Sequence, residues 1–362
     1  FNGLFSRKHL EIEASIRKCA RIKLFTSDEK LFIESFSQQL VPLISQDTKN
    51  HFQRLFESIN VQIDFYRKLS QYPSALSRLT RIAETSEMLW NYLLNNLELL
   101  EQLDKPVPDI SVENLTKLLE DQLSTCKGNE EEEIDRLRQF KHTITFLLGS
   151  AEMEGLVSYE HARIGMTVLA EIIVRAAFDL SQKSLASRYG EVKDADGEPC
   201  NFAIVGLGKL GGEEMTYHSD LDLIFVHSGH GSTTGPSVTG AQEYWIKIIQ
   251  RLISCLSTIT RTGFAYKLDT RLRPSGNAGV LVSSLDTYLN YHDNSEPWEH
   301  QALIKARVIG GSGSSEWFQE VKEVLHRAVY EWNPPSDLND RINHLRQRKE
   351  KELSRETKHQ RN

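Results

Sequence analysis

Ile204-Val-Gly-Leu-Gly-Lys-Leu-Gly-Gly-Glu-Glu-Met-Thr-Tyr-His-Ser-Asp-Leu-Asp-Leu-Ile-Phe-Val226 runs from one apolar segment through a glycine-rich turn into a second, which carries Asp220 and Asp222. Alternate residues of a strand point to one face, so the two carboxylates stand side by side with Cα atoms roughly 6 to 7 Å apart. Two close anions repel unless a cation sits between them. Oxygen-only ligands on a short rigid element suit Mg²⁺, which takes one or two carboxylates together with phosphate oxygens. The stretch therefore reads as a site for a metal ion and a nucleoside triphosphate.

Gly206-Leu-Gly-Lys-Leu-Gly211 also matches the dinucleotide-binding fingerprint. Distance excludes that reading. A parallel crossover needs a dozen or more residues, whereas nine lie between Gly211 and Leu221. The acidic partner of the fingerprint should also lie about twenty residues on, well beyond Asp220 and Asp222. No Gly-Lys-Ser/Thr closes a Walker loop. What remains is a turn, Gly208-Lys-Leu-Gly-Gly212, whose backbone N–H groups can approach phosphates. The bland alternative is a structural turn beside a polar strand.

Leu268-Asp-Thr-Arg-Leu-Arg-Pro274 offers a third carboxylate, Asp269, at the end of a further apolar run. Asp269, Arg271 and Arg273 share parity, and Pro274 biases Arg273 toward extended geometry, so all three are expected to project into one cleft. Arg271, Arg273, Lys305 and Arg307 are candidates for neutralising phosphate charge. Lys305 and Arg307, two apart on an expected helix, do not share a face, so one of them is expected to reach the ligand. Lys209 reads equally as a phosphate contact or a solvated turn residue.

At 362 residues the chain is long enough for two domains. With 43 basic and 50 acidic residues, net charge −7 argues against nucleic acid as the main partner. Cys19, Cys126, Cys200 and Cys255 are scattered without zinc spacing, as expected of reduced thiols in the cytoplasm. Glu171 and Arg175 interrupt the longest apolar run, Val168 to Phe178, so no membrane helix is expected. His218, His227, His230, His292 and His300 lack ligand spacing and read as structural. Asp194-Ala-Asp-Gly197 lacks the other ligands of a calcium loop and reads as a turn. The first residue is Phe1 and the charged tail from Arg341 stops mid-pattern, which suggests a piece of a longer protein.

Residues 1 to about 190 read as helix after helix. Thr26 and Glu29 form a candidate capping box ahead of Phe32, Phe36 and Leu40, with Pro42 as a stop. Phe52, Leu55, Phe56, Ile59, Ile63 and Tyr66 lie on one helical face. Pro73 starts a run to Leu103 with a break expected at Thr85-Ser86, Glu130 to Glu133 favour a helix start, and a long helix is expected over Tyr159 to Leu185. Beyond residue 200, Phe202–Gly206, Leu221–His227, Phe264–Thr270 and Val280–Ser283 are strand candidates. A helix is expected over Ala241–Ile259, and Ser228 to Gly240 reads as a mobile loop. From Trp298 onward the pattern is helical. The expected domains are a helical one over 1–190, a catalytic one over 191–310 and an incomplete helical segment over 311–362.

Gly208-Lys-Leu-Gly-Gly212, Ser219-Asp-Leu-Asp222, Asp269-Thr-Arg-Leu-Arg-Pro-Ser-Gly276 and Trp298-Glu-His-Gln-Ala-Leu-Ile-Lys-Ala-Arg307 together resemble the glutamine synthetase adenylyltransferase family. Tyr72-Pro-Ser-Ala-Leu-Ser-Arg-Leu79 resembles the segment that precedes one of its catalytic domains. The resemblance implies an α+β fold, in which a helical domain leads into a nucleotidyltransferase domain like that of polymerase β. It implies two Mg²⁺ ions held by Asp220, Asp222 and Asp269, with ATP as substrate and Gly211, Gly212 and Ser219 cradling phosphates. The family has two catalytic domains, one attaching AMP to a tyrosine of glutamine synthetase and one removing it with phosphate. Pro274-Ser-Gly-Asn-Ala-Gly279 and Trp298-Glu-His-Gln-Ala-Leu303 look more like the attaching, C-terminal domain. Glutamine synthetase is the implied partner, with a PII-type nitrogen signalling protein as a second. The remaining alternatives are the AMP-removing domain and a non-catalytic nucleotide-sensing module.

Overall fold

A computed structural model describes residues 40, 45, 48–59, 73–103, 105–260 and 263–359. The expected capping box at Thr26 and Glu29, and the positions Phe32, Phe36, Pro42, Ile63 and Tyr66, lie outside them. The chain divides into two compact units, residues 1–169 with 259–265 and residues 170–258 with 266–362.

The first unit is helical among its described residues: α1 (Lys49–Ile59), α2 (Pro73–Thr85), α3 (Glu87–Asn95), a 3₁₀ turn (Leu97–Gln102), α4 (Val112–Ser124), α5 (Glu130–Met153) and the first part of α6 (Tyr159–Tyr189). Local chemistry sets the boundaries. Pro73 begins α2, where its missing N–H costs nothing. Ser86 ends that helix and caps the next, its side chain accepting from the Leu89 N–H. Asn129 does the same for α5 through the Glu132 N–H, and Glu130 to Glu133 fill the first turn, where the helix dipole favours negative charge. Phe52, Leu76, Leu79, Trp90, Leu93 and Phe146 are among the buried residues of its core, with the Phe52 and Trp90 rings 5.4 Å apart. Lys141 is buried and donates to the Tyr92 hydroxyl at 2.7 Å. The Tyr92 ring stacks on His142 at 4.6 Å.

The second unit is built on β2 (Phe202–Gly206), every residue of which is buried. A strand hidden on both faces needs a layer on each. Phe202 stacks on Trp245 of α8 (Ala241–Ser257) at 4.4 Å and on Phe178 of α6 at 5.4 Å. On the other face Ala203 and Val205 pack with Leu285 and Tyr288 of α9 (Leu285–His292) and with Trp317 and Val321 of α11 (Ser315–Tyr330). β2 pairs antiparallel with β3 (Leu221–His227) and, on its other side, with β7 (Arg307–Ser312). β3 pairs in parallel with β5 (Leu268–Asp269) at its start and with β6 (Ser283–Ser284) at its end. The protein is thus α+β with a mixed sheet. The remaining described elements are β1 (Val192–Lys193), paired antiparallel with β4 (Ser232–Thr233), a 3₁₀ turn (Gly276–Ala278), and the helices α7 (Gly208–Gly211), α10 (Pro297–Ala302) and α12 (Leu338–His359). Among the described residues no helix is long and apolar enough to cross a membrane.

Four expectations change. The helical pattern from Trp298 gives way at Ala302, and Lys305 and Arg307 lie on a turn and on the sheet edge rather than on one helix. The strands expected over Phe264–Thr270 and Val280–Ser283 contract to β5 and β6, because only their ends meet β3. The long helix runs four residues beyond Leu185, to Tyr189. The loop 228–240 is tethered rather than free, with the N–H groups of Thr234, Gly235 and Ser237 donating to the carbonyls of Glu191, Tyr189 and Arg188.

Phe202→Ala would leave a ring-sized hole between Trp245 and Phe178, and should cost about 3 to 5 kcal/mol in denaturant unfolding; a loss below about 1 kcal/mol would show that these rings do not close the core. Burial, together with nearby Lys141 and Arg138, depresses the His142 pKa to about 4, from an ordinary 6.5. The unfolded chain therefore binds the proton first as pH falls. The contribution of His142 to stability should be constant above pH 6.5 and decline between 6.5 and 4, by up to about 3 kcal/mol. Urea titrations at pH 7.5 and 5, on the wild type and on His142→Gln, should show the variant losing less, and equal losses would contradict the assignment.

Candidate active site

The turn that links β2 to β3 is shaped by what lies against it. Gly208 has φ +52°, and a Cβ there would sit 2.3 Å from the Asp222 carboxylate. A Cβ on Gly211 would sit 2.1 Å from the Lys305 carbonyl oxygen and 2.6 Å from that of Gly206. Only glycine satisfies both approaches. The turn therefore rests with one end on Asp222 and the other on the segment that leads into β7. The two strands it joins are antiparallel, so no crossover helix is needed.

β3 carries Asp222 at its second residue, and its parallel neighbour β5 carries Asp269 at the register partner. Partner residues on adjacent strands present their side chains to the same face. Asp220 precedes β3 by one residue and is exposed. Burial raises the Asp222 pKa, the negative charges of Asp269 and Asp220 add to that rise, and Arg271 and Lys209 oppose it. Asp269 moves the other way. Its carboxylate accepts from the Arg271 backbone N–H at 2.9 Å, from Arg271 Nε at 3.0 Å and from Nη2 at 2.5 Å, and the side-chain bonds are the main cause of its lowered pKa. Asp269 is thus held ionised beside a carboxyl that resists ionisation.

The other expected residues divide by partner. Lys209 is exposed on the turn, within electrostatic reach of Asp222. Lys305 packs its aliphatic stem on Gly212 and pairs with Glu214 at 2.5 Å. The Ser219 hydroxyl closes a small turn, accepting from the Thr216 N–H at 3.0 Å. Arg273 does not extend into the cleft. Ser275 at φ +61° and Gly276 at +55° curl the chain after β5, and the Arg273 guanidinium donates to the carbonyls of Thr270 and Gly279. Arg307 Nη2 donates to Glu171 at 2.5 Å and to the Leu210 carbonyl at 3.0 Å, and its Nε donates to the Gly211 carbonyl at 3.3 Å. The sequence marks Glu171 only as an interruption of the apolar run 168–178; a carboxylate inside such a run also signals a buried pair, which the structure forms with Arg175 and Arg307.

Among the described residues no three His, Cys, Asp or Glu side chains form a group that could hold a metal ion. Asp220, Asp222 and Asp269 nevertheless supply the oxygen donors that a hard divalent cation takes, and the strain on Asp222 is of the kind that a cation relieves.

Residues 76–323, which span every residue named at this site, match the family model for glutamate-ammonia ligase adenylyltransferase. The chain belongs to that family. A relative from Nitrosococcus oceani, named as a bifunctional glutamine synthetase adenylyltransferase/adenylyl-removing enzyme, is 33% identical over 83% of this chain and 32% of its own length. Relatives of the same name from Vibrio parahaemolyticus and Hahella chejuensis are 34% and 28% identical over 71% and 93% of this chain, and over 28% and 36% of theirs. The chain spans about a third of the length of the curated adenylyltransferases it matches.

In this chain, Gly211→Ala would force a Cβ into two backbone oxygens that no rotamer change can clear. It should cost about 1 to 3 kcal/mol of stability in denaturant titration and separate the turn from the Lys305 segment; unchanged stability would show that the close approach is not maintained in solution.

Proposed function

We propose that this chain carries a nucleotidyltransferase domain that moves AMP from ATP to a tyrosine of glutamine synthetase. The observation that carries the reading is the side-by-side placement of Asp222 and Asp269 on β3 and β5, next to a turn that only glycine can form. Family membership and the names of the relatives support the target. In the reaction the phenolic oxygen attacks the α-phosphorus, the bond from that phosphorus to the bridging oxygen breaks, pyrophosphate leaves, and the phenol proton goes to a nearby base.

Asp269, kept ionised by Arg271, suits the side that must favour the phenolate, whose free pKa near 10 is too high for attack at neutral pH. Bound Mg²⁺, held by Asp220, Asp222 and Asp269, would supply positive charge against the triphosphate and the departing pyrophosphate. Arg271, held on Asp269, and the exposed Lys209 place positive charge beside Asp222, Lys305 lies against Gly212 in its pair with Glu214, and the backbone of Gly208 to Gly212 offers N–H donors to phosphate oxygens.

Asp220→Asn and Asp222→Asn should each lower transfer of labelled AMP from ATP to purified glutamine synthetase by about 10²-fold or more. Both variants should remain folded, and Asp222→Asn should unfold at an equal or higher temperature, since it removes the repulsion from Asp269 and Asp220. Full activity in both variants would refute the reading. Incubation of adenylylated synthetase with phosphate in place of ATP distinguishes the reverse chemistry: release of ADP there, without transfer from ATP, would assign the AMP-removing role instead.

A further inference from the structure

Glu171 is a carboxylate on a long helix with its side chain only 8% exposed. A buried carboxylate is stable only when it is paired and hydrogen-bonded, and two arginines meet that need. Arg175, one helical turn on, donates from Nη2 at 3.1 Å, and Arg307, at the start of β7, donates from Nη2 at 2.5 Å. The Arg307 guanidinium also donates to the carbonyls of Leu210 and Gly211, the closing residues of the glycine turn, and its Nε lies 3.7 Å from the exposed Glu213 carboxylate. Carbonyls at the end of a short helix have no partner within it. The Leu210 carbonyl already accepts from the Glu213 N–H at 3.3 Å; Arg307 adds a charged donor to it and to the Gly211 carbonyl, and Glu171 fixes the planar guanidinium so that it faces both at once.

We propose that Glu171 and Arg307 are positioning residues: a buried brace that holds the carbonyl end of the turn and thereby sets the direction of its N–H groups. This rests on the reading of the turn as the triphosphate-binding element. It differs from the sequence-based expectation for Arg307, which placed its charge on phosphate. The two readings predict opposite results at Glu171. If Arg307 neutralises phosphate, loss of the Glu171 charge frees it and binding of ATP is unchanged or tighter. If Arg307 braces the turn, loss of that charge lets the guanidinium rotate and the turn loosens.

The test uses Glu171→Gln, Glu171→Asp, Arg307→Lys and the double variant E171Q/R307K. Glu171→Asp keeps the charge but withdraws it by one methylene, and serves if Glu171→Gln folds poorly. The brace predicts that each single variant raises the KM for ATP about tenfold or more, the size of one charge-assisted hydrogen bond lost, with kcat changed less than about twofold. The double variant should be no worse than the weaker single, since both changes break one unit. Hydrogen exchange reads the brace without any activity: amides of residues 207–214 should exchange about tenfold faster in the single variants, while those of 221–227 are unchanged. An unchanged KM and unchanged exchange in the Glu171 variants would overturn the proposal, as would additive effects in the double variant. Wild-type protein that transfers no AMP in either direction would remove the catalytic reading and leave exchange to decide the brace.

Discussion

Two carboxylates set side by side at the mouth of a buried sheet are the costly element of this structure. Asp222 and Asp269 are register partners on adjacent strands, and half-burial of Asp222 strengthens their repulsion. No local preference places them there. Their position follows from β3 being drawn into the core by Leu221, Leu223, Ile224 and Val226, all buried. Hydrophobic burial fixes the strand, and the strand carries its acids into an arrangement that their own electrostatics oppose. Arg271 offsets part of the cost by locking onto Asp269, at the side that is more open to solvent.

Two strands from β3, apolar burial likewise positions charge, here as an attractive pair. β7 brings Arg307 against a turn whose carbonyls point outward, and α6 brings Glu171 to meet it. Each charge is positioned by an apolar neighbour in the sequence: Val308 and Ile309 for Arg307, Ile172 and Ile173 for Glu171. The two clusters flank the glycine turn. One end approaches the Asp222 carboxylate, and the other is pinned by Arg307 and crowded by the Lys305 carbonyl. A turn clamped at both ends gives up little further conformational freedom when it meets a ligand.

Much of this was legible in the sequence, and the reasons differ by element. β2 and β3 were readable because each is a continuous apolar run bounded by turn residues, and the glycine turn because its spacing is too short for a crossover. Helix starts at Pro73, Ser86 and Asn129 were readable because a cap is a local event. β7 was not. Arg307-Val-Ile-Gly-Gly-Ser312 holds two strand-favouring residues and two glycines, and its strand state is imposed by pairing with β2, far back along the chain. Lys305 and Arg307 were consequently set on a helix that ends at Ala302.

Arg273 marks a different limit. Pro274 disfavours helical geometry in the residue before it, which is a statement about one peptide unit. The path of the chain is decided two residues later, where Ser275 and Gly276 both take positive φ and reverse its direction. A left-handed serine is sparsely populated on its own. Here it is retained because the loop it makes lets one guanidinium satisfy the carbonyls of Thr270 and Gly279 together. The parity rule that aligned Asp269 with Arg271 and Arg273 therefore fails where the sheet ends. Arg271 remains beside Asp269 through its own backbone N–H and guanidinium, while Arg273 becomes the internal strut of the loop that follows.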